Sequence, residues 1–145
     1  MKLKLSEIIL IHGACASEEL GTLDGAYWNS FLVQNEMLCE GRANAFGKQQ
    51  KDNAKFQEYI AERNAVFAEH GTDDGNGILH ISANDTVPNA ELAAIERKYK
   101  KTIDELNEVL ETEYEIELDT INVSRLPESV RRDYLRPIRR LIIKD

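Results

Sequence analysis

Long apolar runs are scarce in this chain. Ile8, Ile9, Leu10 and Ile11 make a run of four near the start, where a membrane-spanning helix needs about 20 apolar residues. Lys2 and Lys4 precede that run, but it is too short for the core of a secretory leader, which takes roughly 7–15. Cysteine is equally sparse, with only Cys15 and Cys39. A secreted domain of this size would carry a denser disulfide framework. These absences make the cytoplasm the expected compartment, with no membrane association expected. There are three prolines, and aromatics make up 7% of residues, which favours long helices over a β-sandwich. Positive charge is outnumbered: 18 Lys and Arg against 26 Asp and Glu give a net charge of -8. An acidic surface repels bare phosphate backbones, so generic nucleic-acid binding is disfavoured. Catalytic signatures are missing too. No nucleophile elbow, Walker-type phosphate loop or paired Cys-x-x-Cys occurs, and the chain reads as a non-enzyme without a cofactor.

What is present is a globular composition, 42% hydrophobic and 30% charged, over a length that suits one domain. Residues 1–5 alternate as Met-Lys-Leu-Lys-Leu and predict an edge strand with one buried face. Ser6 as cap and Glu7 in the first turn predict a short helix from Glu7 to about Leu20, stopped at Gly21. From Ala26 to Glu69 no proline interrupts a run rich in helix formers. Phe31, Leu38, Ala45, Tyr59 and Val66 form one apolar row, and Leu32, Cys39, Phe46, Ile60 and Phe67 a parallel one. Together they predict a single long helix, continuous or mildly bent, with a polar waist at Gln49, Asp52 and Asn53.

Residues 70–78 are turn chemistry throughout, and Ile78–Ile81 suits a brief strand. Asp73, Asp74 and Asn76 resemble a calcium loop only in composition, because the alternating ligand spacing is missing. Asn84 or Asp85 then caps a helix carrying Leu92, Ile95, Tyr99, Ile103, Leu106 and Leu110, spaced by three or four residues as a helical face requires. Tyr114 to Leu118 alternates again, Leu126-Pro127 turns the chain, and Ser129 opens a short helix that ends before Pro137. The fold class is α+β, predominantly α. It comprises a long antiparallel helical hairpin, a short N-terminal helix, and a small sheet pairing the N-terminal strand with the C-terminal segment. A single domain spans 1–145, with its core in 1–128 and a basic segment in 129–145.

Three features carry candidate chemistry. His12 and Cys15 lie one helical turn apart and Cys39 could approach them, the start of a zinc set, but buried structural cysteine is the simpler reading. Arg131, Arg132, Arg136, Arg139 and Arg140 crowd a basic segment that also holds Arg125 and Lys144. Guanidinium forks suit phosphates and carboxylates, so these five are the expected ligand or partner site. The alternative is pairing with the chain's own acidic helices. Finally, the long helix has more apolar surface than its partner can cover, and the excess at Trp28, Phe31, Leu32 and Leu38 is expected at a homo-oligomer interface.

The order of parts resembles a family of small tailed-bacteriophage proteins of unknown function. The Met-Lys-Leu-Lys-Leu start, the long helix of Ala26–Glu69 and the Gly-rich acidic turn Asp73-Asp74-Gly75-Asn76 carry the likeness. So do the acidic Leu-rich stretch Leu106–Glu113, the alternating Glu115-Ile116-Glu117-Leu118, and Leu126-Pro127. The basic tail from Arg131 onward departs from the pattern. The resemblance implies a phage origin and brings no active site with it. It leads to a phage-encoded, non-catalytic binding protein that neutralises a host factor in the host cytoplasm. That factor is either an antiviral defence protein or its small nucleotide signal. The alternative is a virion morphogenesis protein, an assembly chaperone or minor head–tail component.

Overall fold

The structure is a computed structural model that describes all 145 residues. In chain order the elements are β1 (Lys2–Lys4), α1 (Leu5–Cys15), α2 (Glu18–Gly21), α3 (Ala26–Asp52), α4 (Ala54–His70), β2 (Thr72–Asp73) and β3 (Leu79–His80). They continue with α5 (Thr86–Lys98), α6 (Lys100–Glu111), β4 (Glu113–Glu115), β5 (Ile121–Asn122), α7 (Arg132–Leu135) and β6 (Ile142–Ile143). Short 3-10 turns cover Val123–Arg125 and Arg136–Leu141. The class is predominantly α with three two-stranded sheets. No helix is long and apolar enough to cross a membrane. Read from the sequence as one domain, the chain resolves into two compact units. Unit 1 is Met1–Gly47 with Val109–Asp145, and unit 2 is Lys48–Glu108.

Unit 1 holds the hydrophobic core. Leu3, Ile8, Ile11, Leu20, Trp28, Cys39, Ile138 and Leu141 are almost completely buried there. The expected pairing of the first strand is observed: β1 runs antiparallel to β4, with Leu3 opposite Tyr114. The alternation of Met1–Leu5 thus puts Leu3 inward and Lys2 outward. The first helix starts earlier than its cap signal suggested. Lys4 is the cap residue, and its N–H donates to Glu7 Oε2 at 2.8 Å, so the acid three residues on satisfies an otherwise orphaned donor. That helix also ends earlier, at Cys15, and resumes as the single turn α2.

Trp28 anchors the start of α3, its indole N–H donating to Leu20 O at 2.9 Å, and its ring stacks on Phe31 with centroids 5.7 Å apart. Asn35 is completely buried. Its Nδ2 donates to Asp119 O at 3.1 Å and its Oδ1 accepts the Asp119 N–H at 2.8 Å. One side-chain amide therefore replaces the missing strand partner of an irregular segment. The C-terminal segment is not an appendage to the core. Ile138 and Leu141 reach its centre, and β6 lies parallel to β5.

Unit 2 is built on the helical hairpin. The expected continuous helix over 26–69 breaks at Asn53, whose backbone is extended and whose Oδ1 accepts the Phe56 N–H at 3.0 Å. The polar waist is therefore a helix boundary, where Asn53 stops α3 and caps α4. Gln49 and Asp52 are exposed and line no internal cavity. The hairpin is formed by α4 and α5, so only the second half of the expected long helix takes part. Tyr59 meets Tyr99, Glu62 meets Lys98 and His70 meets Glu91, a falling series that makes the two helices antiparallel. The second arm is divided at Tyr99, between α5 and α6. β2 and β3 pair antiparallel through the acidic turn. Gly71, at the foot of that turn, admits no side chain, since a Cβ there would run into Phe67 O and stand 2.9 Å from Leu79 Cβ.

Candidate functional site

The C-terminal arginines are arranged by a 3-10 turn. Three residues per turn stack positions i and i+3. In Arg136–Leu141 this puts Ile138 and Leu141 in one row, which enters the core of unit 1. Arg136 and Arg139 form another row, exposed, with Arg140 beside them. Pro137 sets the start of the turn. Across from these arginines lies α1, whose Glu7, Leu10 and Ile11 complete the walls of a groove of about 650 Å³. Leu10 is 60% exposed there, high for a large aliphatic side chain.

The groove is positive. Arg140 Nη2 donates to Glu7 Oε1 at 3.0 Å, and Glu7 spends its other oxygen on the Lys4 N–H. No acid lies within ion-pairing distance of Arg136 or Arg139. The site therefore offers two unpaired guanidiniums over an apolar floor, with a third beside them oriented by Glu7. Guanidinium forks beside apolar surface have the chemistry to receive an anion with an apolar or planar portion.

Of the five expected arginines, Arg136, Arg139 and Arg140 are brought together. Arg131 and Arg132 are not. Arg131 pairs with Asp133 at 3.3 Å and lies over the Tyr134 ring, while Arg132 projects from α7 without joining the groove. Arg125 is also separate, its guanidinium 3.7 Å from the centroid of Tyr27. The sequence drew attention to the arginines by their density. It gave no sign of Glu7, Leu10 and Ile11, which come from the opposite end of the chain.

Three of the four residues expected at a subunit interface have no surface to offer. Trp28, Phe31 and Leu32 are between 0% and 3% exposed, because α1, α2 and the C-terminal segment cover them within the chain. Only Leu38 remains outside, with Val33 and Met37 also exposed on α3.

The cysteines are placed for packing. Both are buried and free. Burial pushes the Cys15 thiol up to about 12, with Cys39 and Glu36 adding to it, and the Cys39 thiol up to about 11. Both therefore stay as neutral thiols at neutral pH, the state of a buried packing residue. His12 does not join them in a ligand cluster. The acidic turn consumes its own carboxylates: Asp73 Oδ1 accepts the N–H groups of Gly75 and Gly77, and Asp74 Oδ1 that of Asn76. The Asn76 N–H and then His80 hold the Asp74 carboxyl below its ordinary value. The side chains able to surround a metal ion are elsewhere, in unit 2, where Glu69, His70 and Glu91 converge. Comparison with protein-family models, with curated proteins and with solved structures finds no match.

Proposed function

We propose that this protein works by stoichiometric binding, and that its ligand is an anion seated on Arg136, Arg139 and Arg140 against Leu10 and Pro137. The observation that carries this reading is the pair of guanidiniums left without acidic partners above exposed apolar surface. A protein with 26 acids could have neutralised them internally. What supports a ligand role is their grouping: both forks stand free of acids on one groove wall beside the exposed Leu10. The groove's volume falls within the range of small-molecule sites, roughly 300–1,000 Å³. In the context of the phage resemblance, the ligand we propose is a small nucleotide signal of the host's defence, which the protein neutralises by capture. A planar base would lie on the apolar floor and its phosphates would meet the arginines.

Native mass spectrometry of the protein isolated from phage-infected host cells tests this. The expected result is a mass increment of a nucleotide, absent from the Arg136→Ala plus Arg139→Ala variant. Those two side chains have no ionic partner in the fold, so the variant keeps its structure. A ligand-free wild-type protein that instead retains a host protein through the same arginines would replace the nucleotide by an acidic protein surface. Retention unchanged in the double variant would overturn the site. Self-association is part of the same proposal and is supported by exposed Val33, Met37 and Leu38 on α3. Light scattering of Met37→Glu against the wild type tests it, a drop in mass being the expected outcome.

A further inference from the structure

Unit 2 contains a second set of convergent polar groups, unrelated to the arginine groove. His70 is the last residue of α4, and its side chain is 27% exposed. Its Nε2 atom is inaccessible to solvent and has no hydrogen-bond partner. Glu69 Oε2 and Glu91 Oε2 both stand 3.7 Å from that nitrogen, too far for a hydrogen bond. Glu69 precedes His70 on α4, and Glu91 reaches in from α5. A buried imidazole nitrogen facing two carboxylates at this separation is an incomplete arrangement. Buried polar atoms are ordinarily paired, and an unpaired one beside two carboxylates is where a water or an ion fits.

We propose that Glu69, His70 and Glu91 bind a divalent transition-metal ion of the zinc type that clips α4 to α5. The three ligand atoms lie within 4.8 Å of one another. Tetrahedral ligands at about 2.1 Å from an ion stand roughly 3.4 Å apart, so the two 3.7 Å separations need to close by only a few tenths of an ångström. Both glutamates are largely exposed, and their side chains can make the remaining adjustment by rotation. The donor set selects the ion. One imidazole and two carboxylates suit zinc and its first-row neighbours, whereas calcium and magnesium prefer all-oxygen sites and soft ions prefer thiolates. Two carboxylates balance the charge of a divalent cation. Three protein ligands leave a coordination position for water. The ion would bridge two helices that otherwise share little buried surface: Val66 is the only residue of α4 in the buried class, and Pro88 the only one of α5.

The test uses the full chain, stripped of metal with a chelator, dialysed and titrated with Zn2+ alone by calorimetry. One equivalent is expected to bind. Glu91→Gln, which keeps the side chain's shape, is expected to weaken binding by at least about tenfold, and His70→Gln by more. Cys15→Ser plus Cys39→Ser, and separately His80→Gln, should leave it unchanged. Because a ligand variant could also loosen the helix pair, amide exchange gives a second reading. Zn2+ should slow exchange in α4 and α5 of the wild type and have no such effect on Glu91→Gln, with helical circular dichroism showing that the variant is folded. Absence of uptake by the wild type would mean that His70 and the two glutamates form a plain ion-pair cluster, and would overturn the proposal. Binding that follows the cysteines or His80 would overturn it as well.

Discussion

The two units of this chain are built on different principles. Every residue of the main hydrophobic cluster belongs to unit 1, from Leu3 and Ile8 to Ile138 and Leu141. Unit 2 buries Val66, Pro88, Tyr99 and Leu106 and little else. Its helices are joined along their seam by the edge-to-face pair Tyr59–Tyr99, the Glu62–Lys98 ion pair and the His70 cluster. Apolar burial is the largest favourable term in folding, while exposed ion pairs contribute little. The expectation is a firm unit 1 and a unit 2 that opens locally at lower free energy. The two candidate sites follow this division. The arginine groove sits on the rigid core, where a preformed site costs least to keep in shape. The proposed metal site sits where a cross-link would add the most.

The largest test of this contrast is Trp28→Ala. The ring is completely buried, stacked and hydrogen-bonded, so its loss should cost about 3–5 kcal/mol, measured by chemical denaturation. Amide exchange in α1 and α3 should accelerate accordingly. Val66→Ala comes next, removing two methyl groups from the thin seam of unit 2, at about 1.5 kcal/mol. Its effect should be confined to α4 and α5. Should Val66→Ala accelerate exchange in α1 as much as in α4, the two units would unfold as one and the contrast would fail.

Asn53→Ala is a smaller perturbation at the other end of α4. It removes the acceptor for the Phe56 N–H and should cost about 1 kcal/mol. Exchange should rise in the first turn of α4, with α5 unaffected. This residue also shows where sequence reading failed. The apolar rows on either side of it run in helical register, and helix formers surround it, so periodicity argued for one continuous helix. A cap needs only one asparagine with an extended backbone, and inside a polar run that signal is hidden. Asn35 was hidden for the opposite reason. It sits on a helix among apolar neighbours, and its partner Asp119 lies 84 positions away. The elements that were legible are those with repeated local signals, such as Leu92, Ile95, Tyr99 and Leu106, or the alternation that pairs β1 with β4. The arginine cluster was legible as density. Its division into Arg136, Arg139 and Arg140 on one side and Arg131 and Arg132 on the other required the 3-10 turn. The His70 cluster was not legible at all, because Glu91 is brought to it only by the hairpin.

The smallest expected effect comes from pH, and it acts on the seam of unit 2 at both ends of the range. Lys98 donates to Glu62 Oε1 at 2.7 Å. That hydrogen bond is the main cause holding the Glu62 carboxyl below its ordinary value of 4.5, with Tyr99 assisting. The same bond holds Lys98 above its ordinary value of 10.5. A carboxylate whose folded value is depressed stabilises the fold above its unfolded value and loses that contribution as pH falls through the folded one. An ammonium whose folded value is raised stabilises below its unfolded value and loses that contribution as pH rises through the folded one. The pair therefore supports the α4–α5 seam fully between about pH 4.5 and 10.5 and fades beyond each end. In unit 1 the ion pairs Arg140–Glu7 and Lys4–Glu111 lie outside the core, where Trp28, Ile8 and Ile138 carry no titrating group. Exchange-detected opening of α4 and α5, corrected for intrinsic amide rates, should thus increase below pH 4.5 before that of the Trp28–Cys39 stretch of α3. Glu62→Gln should remove the acid-side dependence while slightly raising opening at neutral pH. A seam whose opening stayed flat through the acid range in the wild type would show that the pair contributes nothing, and that Tyr59, Val66 and Tyr99 alone hold the hairpin.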